Sequence, residues 1–470
     1  MKLLVLLLSL FLTFPAFSTD DYNFEFINKE YSEDIATVTL ELNGSPVGFP
    51  VIGLNSSDYL VLKFDDLSNY EKTLYYKLIH CDRDWKPSTM RELDYINGFN
   101  DERIRNYEYS INTRIQYLHY WQKFPNRDTQ FKISGNYLLV IYEDNINNPV
   151  LTRRFIVNEN QLALDEIEVQ DIFPSDVSNI RYKQELSVNL NTEKLKINNP
   201  LEDVTVVALQ NENWYSKIES KPNIYGRNSL KYNKLGTFEW WGNAEFREFD
   251  IRSFFRVGRG VKFIERKKNE TDILLETTFP RNNKNHIAIF DFNGRYFIEN
   301  WDQLGGNSVL PDIETIAIDE INKTINDLSG NFSRLTFESI TRNKPEDRNI
   351  YSDYADVTLY LDSNIDLGKK EGIYILGAFN NWLPSENYRM EFDFERDMFV
   401  GYMFLKQGYY NYYYAIVDEN GSVNIPSLEG SWNETENDYQ IIVYYKSLGD
   451  LYDRVVGFKN FNTNLHTKKY

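Results

Sequence analysis

The sequence predicts an all-β chain made of several sandwiches, and three observations carry that expectation. Aromatic residues are abundant, with 34 Tyr and 31 Phe among 470 residues, and aromatic side chains suit strands better than helices. Short runs that alternate apolar and polar positions recur along the chain, as strands with one wet face do. Asn-Gly pairs and proline breaks fall between such runs and supply turn chemistry. At about 150 residues per domain this length corresponds to roughly three cores, so the expected architecture is three consecutive β-sandwich domains after a cleaved signal peptide.

Residues 1–18 read as that signal. Lys2 gives the positive start, Leu3 to Phe14 the apolar core, and Ala16 to Ser18 a small-x-small cleavage site. The apolar run is shorter than the roughly 20 residues a spanning helix needs. The mature chain is expected to begin at or close to Thr19, without a lipid anchor, because no cysteine follows the cleavage site.

From residue 19 to 158 we expect a first β-sandwich. Ile35 to Leu42 alternates and is followed by the turn pair Asn43 and Gly44; Thr73 to Ile79 is a further strand, and Arg153 to Val157 closes the sheet. Asn158 to Gln161 reads as a linker. A second sandwich is expected over 159–345, with strands at Leu186 to Leu190 and Val204 to Leu209 separated by Asn199 and Pro200. Ile287 to Phe292, the Asn293-Gly294 pair and Arg295 to Ile298 give a hairpin signal. Ile313 to Leu328 fits a short helix or a strand and turn, and its periodicity does not choose between them. The charged, proline-broken run Asn343 to Arg348 marks the expected second boundary. A third sandwich is expected over 346–446, with strands at Val357 to Leu361, Gly372 to Leu376, Phe399 to Leu405, Asn411 to Val417 and Gln440 to Tyr445. A polar tail, 447–470, finishes the chain.

The most specific stretch runs from Tyr75 to Asp144. It contains the polar turn His80 to Ser88, then Asp94 to Phe99, Ser110 to Thr113, Tyr117 to Tyr120, and the buried-strand run Ser134 to Tyr142 entered through Gly135. Gly242 to Asp250, Leu405 to Tyr414 and Glu429 to Tyr439 follow in order. This succession resembles the plug protein family of the type IX secretion system, the protein-export machine of Bacteroidetes outer membranes. Residues 303–349 carry none of these motifs and read as an insertion. Gly377 to Trp382 resembles the early-set immunoglobulin-like modules that include glycogen-binding domains.

Composition excludes several functions. A formal net charge of -19 argues against nucleic acid, whose phosphates demand a basic surface. The single cysteine, Cys81, rules out an internal disulfide and is expected to be a buried, inert thiol. His80 and Cys81 are adjacent on a strand and point to opposite faces, so they do not form a dyad with each other; Cys81 with the distant His119 stays geometrically open. With four histidines and no second cysteine at zinc spacing, no metal is expected. Asp82, Arg83 and Asp84 lack the glycine and closing glutamate of a calcium loop and read as a turn with a local ion pair. No phosphate loop, nucleophile elbow or metalloprotease helix appears, and no carboxylate pair stands out among 70 acidic residues. We therefore expect no enzyme, no catalytic residues and no cofactor.

The plug resemblance implies a periplasmic protein, at the inner face of the outer membrane, that seals the periplasmic opening of the translocon β-barrel without inserting into the membrane. The rival is a periplasmic carbohydrate-binding protein or glycosidase accessory module. In the glycogen-binding modules sugar rings lie on two tryptophans helped by a lysine. Trp382 matches the first tryptophan, but the lysine position falls at Tyr413 and the second tryptophan near Val423, so glycan binding is not expected. A type IX cargo protein is the other alternative, but the tail from Thr467 to Tyr470 does not resemble the cargo targeting domain.

Overall fold

The computed structural model describes residues 22–302 and 350–463, apart from positions 47 and 175. The expected signal peptide, the segment 303–349 with its undecided element and proline-broken boundary, and the last seven residues lie outside the described residues. Among the described residues strands far outnumber helices, and they form paired sheets. Among the described residues no helix is long and apolar enough to cross a membrane.

The first sandwich faces two sheets. One is ordered Lys29–Glu30, Pro149–Asn158, Gly135–Tyr142, Tyr75–Cys81 and Asp101–Arg103, with Val51–Gly53 pairing in parallel with Pro149–Asn158. The other is ordered Ile35–Leu42, Leu60–Asp66, Leu118–Phe124 and Tyr107–Tyr109. Leu60, Leu62 and Phe64 of the second sheet meet Leu78, Leu139 and Phe155 of the first in one buried core. Asn43 and Gly44 make the expected turn, both with positive φ (53° and 75°), the geometry an Asn-Gly pair favours. The alternation of Ile35–Leu42 is broken by a register shift between Ala36 and Thr39, a bulge that turns Thr37 toward a neighbouring sandwich.

The sheets of the remaining chain are not filled in chain order. Ile167–Ile172, Lys183–Asn191, Ser229–Tyr232 and Phe238–Trp241 form one sheet of the second sandwich. Its facing sheet is ordered Asn213–Ser220, Val204–Gln210, Asp438–Tyr445 and Arg454–Asn462. Gln440 to Tyr445, expected in the third sandwich, thus pairs with Val204–Gln210, and the expected polar tail contains an edge strand whose Val455 and Val456 are fully buried. Between them the third sandwich gathers Arg247–Asp250, Tyr296–Ile298, Gly372–Leu376 and Val423–Asn424 around Gly408–Val417. It packs this sheet against Val261–Arg266, Thr271–Leu275, Tyr354–Leu361, Met398–Lys406 and Glu391–Asp393. The expected hairpin does not form as such. Asn293 and Gly294 do turn (φ 53° and 81°), but Tyr296–Ile298 pairs with Gly408–Val417, and residues 287–290 carry exposed side chains outside any strand. The better-buried edge of Gly408–Val417 outcompetes the local partner.

A buried charge joins the first and third sandwiches. Asp65, 1% exposed, accepts from Lys406 Nζ at 2.5 Å and Tyr354 OH at 2.6 Å, and its other oxygen lies 2.6 Å from His119 Nδ1. Tyr354 and Lys406 belong to the third sandwich; Asp65 and His119 to the first. Thr37, displaced by its bulge, reaches the Tyr354 hydroxyl at 2.7 Å, and Lys406 lies 4.2 Å from the centroid of the Tyr117 ring. Burial alone would raise the Asp65 carboxyl, but Lys406 and His119 hold it below its ordinary value. Removing one member leaves an uncompensated buried charge, which costs about 3 to 5 kcal/mol, whereas removing both costs far less. Lys406→Met is accordingly expected to destabilise by that amount in urea unfolding, with most of the loss recovered in Asp65→Asn/Lys406→Met. A single-variant loss below about 1 kcal/mol, the ceiling typical of exposed pairs, would show that the node is solvated.

Candidate functional site

The polar turn after Tyr75–Cys81 lies on the seam between the first and second sandwiches. His80 is 1% exposed; Nδ1 lies 2.8 Å from Ser88 Oγ and Nε2 lies 3.1 Å from the Ser134 carbonyl. Gly135 follows at φ +137°, where an added Cβ would come within 2.4 Å of His80 Nε2, so glycine is needed both for backbone and for space. Asn136 spans the seam, donating to the Asp82 carbonyl at 3.0 Å and accepting from Tyr444 OH at 2.8 Å. Ser134 Oγ donates to Glu159, which pairs with Arg454.

Cys81 is fully buried and unpaired by disulfide, and burial pushes its thiol far up, away from nucleophile or metal chemistry. His119 stands in the facing sheet on Asp65, so the open Cys81–His119 pairing is not made. Asp82 forms the expected turn, accepting from the backbone N–H of Asp84 at 2.9 Å and Lys86 at 2.8 Å. Its neighbours depart from the expected local ion pair. Arg83 donates to Thr205 at 3.0 Å and approaches Asp453, and Asp84 pairs with Lys217 at 2.9 Å, all in the second sandwich. The turn projects both charges across the seam, where better-placed partners wait.

Two other motifs clasp the second sandwich to the third. Asn243 N–H donates to Ser431 Oγ at 2.9 Å, and its carbonyl accepts from Trp432 N–H at 2.9 Å and Thr435 Oγ1 at 2.8 Å. Asn437 Nδ2 donates to Gln184 and to the Gly242 carbonyl, each at 2.9 Å. Glu429, fully buried, accepts from Arg247 at 2.8 Å and Arg281 at 2.8 Å. Burial would raise its carboxyl, and the two guanidiniums hold it below the ordinary value.

Where the three sandwiches meet there is a half-open cleft of about 140 Å³ lined by Phe49, Arg153, Arg154, Trp214, Tyr296 and Trp382 among others. Sequence reasoning passed over it. Its one legible signal is the tandem Arg153 and Arg154, of which the two-residue period of a strand buries one and turns the other the opposite way. The positions aligned with a sugar platform do not make one. Trp382 is 7% exposed, with its ring edge-on to Phe246 at 5.8 Å, Tyr413 is 1% exposed and bonded to the Ala244 carbonyl, and Val423 is an exposed strand residue. Among the described residues no group of three His, Cys, Asp or Glu is placed to hold a metal.

The class this geometry defines is a multi-sandwich β scaffold whose motif residues join domains. Residues 35–159 match the family model described as type 9 secretion system plug protein 1st domain, so the first sandwich is similar to the first domain of those plug proteins. The chain is also similar to a hypothetical protein from Parabacteroides merdae ATCC 43184, known from a crystal structure. The two share 25% identity and a TM-score of 0.80 over 94% of this chain and 100% of the other. No curated protein matches.

Two outcomes follow. Burial pushes His80 down from 6.5 to about 4. The unfolded ring takes a proton as pH falls through 6.5 while the folded ring stays neutral until about 4, so its contribution is full above 6.5 and lost across that window, by about 3 kcal/mol at most. The stability advantage of the natural protein over His80→Gln in urea unfolding should therefore shrink between pH 7 and 4.5; a constant difference would mean that the ring titrates freely. For Trp382→Ala, the packed environment predicts a loss of about 3 to 5 kcal/mol, with no change in maltodextrin binding. Millimolar glucan binding abolished at unchanged melting temperature would make Trp382 a sugar platform.

Proposed function

We propose that the protein is a non-enzymatic plug that binds and seals the periplasmic opening of the type IX secretion translocon barrel. The observation that carries this reading is the match of residues 35–159 to the plug first-domain model, in a chain whose other sandwiches are clasped to that domain. A β-barrel wide enough to pass folded cargo leaks unless something fills its lumen. A stopper must resist deformation, and buried charges shared between sandwiches, such as Asp65 with Lys406, oppose bending at the seams. It must also leave during export, which favours a polar interface over one deep hydrophobic anchor. The carbohydrate reading draws no support from the third sandwich, where Trp382 and Tyr413 are packing residues.

The tests are co-purification and permeability. A tagged translocon barrel should bring down this protein, and deleting its gene should admit antibiotics too large for the intact outer membrane while cargo export is at most partly altered. Unchanged permeability together with failure to co-purify would return the protein to the class of periplasmic binding proteins.

A further inference from the structure

The cleft at the three-way junction holds a guanidinium that no described carboxylate pairs with. Arg153 and Arg154 are neighbours on Pro149–Asn158 and face opposite ways. Arg153 is 4% exposed and paired with Glu30. Arg154 Nε donates to the Phe26 carbonyl at 2.7 Å, and its guanidinium lies 4.6 Å from the ring centre of Trp85 and 5.5 Å from that of Trp214. No carboxylate among the described residues pairs with it. The other ions around the cleft are matched: Arg295 with Glu212 at 2.8 Å and Asp438 at 2.9 Å, and Glu41 with Lys63 at 2.6 Å.

From this arrangement we infer that Arg154, framed by Trp85 and Trp214, is a binding site for a single carboxylate side chain presented by a partner protein. A partly desolvated guanidinium with no carboxylate partner among the described residues is costly, and burial draws Arg154 down to about 10; a partner carboxylate taken up by its planar fork lowers that cost. The tryptophans hold the fork in place. Trp85 carries a positive φ of 63°, an unfavourable backbone state for a bulky residue, so the platform itself is installed at a cost. The volume of about 140 Å³ is below the roughly 300 to 1,000 Å³ of small-molecule sites and suits one projecting side chain. In the plug reading the partner is the translocon barrel, and only the partner's identity rests on that reading.

The experiment uses the full mature chain and Arg154→Met, which keeps the stem and removes the charge. Capped tetrapeptides carrying one glutamate, or glutamine in its place, and inorganic phosphate are titrated by calorimetry. Saturable binding of the glutamate peptide is expected, weakened at least tenfold by Arg154→Met and by glutamine, and reduced by salt, with a melting temperature for the variant that is not lowered. Equal binding of both peptides, preferential binding of phosphate, or a marked drop in melting temperature with peptide binding retained would each overturn the assignment. Barrel retention is then measured for both proteins. Glutamate-peptide binding without barrel retention by the natural protein keeps the site and ends the plug reading; equal barrel retention by both proteins without peptide binding keeps the plug and ends the site.

Discussion

One buried carboxylate, Asp65, sets a constraint that the rest of the molecule obeys. A charge without solvent is tolerated only where its partners are supplied in full, and those partners come from both sides of a seam: His119 from its own sandwich, Tyr354 and Lys406 from the third. Apolar contact alone would let two sandwiches slide against each other. A charge that must meet an ammonium and a hydroxyl at fixed distances admits one placement. Glu159 with Arg454 applies the same rule at the seam between the first and second sandwiches, and Glu429 between Arg247 and Arg281 applies it inside the third.

Seen this way, the most specific stretches of the sequence are joints. The turn His80 to Ser88, the glycine at 135, the clasp of Gly242 and Asn243 with Ser431 to Asn437, and the strand Gly408–Val417 all tie one sheet to another. None of them presents reactive chemistry to solvent. Trp85, inside the first polar turn, packs in a buried apolar cluster with Ile79, Cys81, Leu138 and Val140 and also lays its ring against Arg154.

Much of the fold was legible because strands report themselves locally. Ile35 to Leu42, Val204 to Leu209 and Asn411 to Val417 alternate or run apolar according to whether one face or both are covered, and each is a strand. Pairing is not a local property. Gln440 to Tyr445 looks the same whether its neighbour is Gly408–Val417 or Val204–Gln210, and Arg295 to Ile298 carries a perfect hairpin signal yet takes a distant partner. The burial of Trp382 and the inertness of Cys81 could be read from lost companions and missing bases. The cleft could not, because it exists only where three sandwiches converge, and the charges of Arg83 and Asp84 look local until the second sandwich supplies Thr205, Asp453 and Lys217.

The pairing of Val204–Gln210 with Asp438–Tyr445 sets an order of events during synthesis. Gln210 and Tyr439, bonded side chain to side chain, are 229 residues apart, so the strand leaves the ribosome long before its neighbour exists. Closing so long a loop is entropically cheap only in that the cost grows logarithmically, and the third sandwich lowers it further. Once folded, that sandwich brings its own two ends together, Gly242 bonded to Asn437, and delivers the missing strand to the waiting edge. Until then the nascent chain displays the unpaired edge of a largely apolar strand, the kind that recruits other chains. The edge of the enclosing sandwich stays open until Asp438–Tyr445 arrives, and a chain truncated short of Asp438 keeps it open for good.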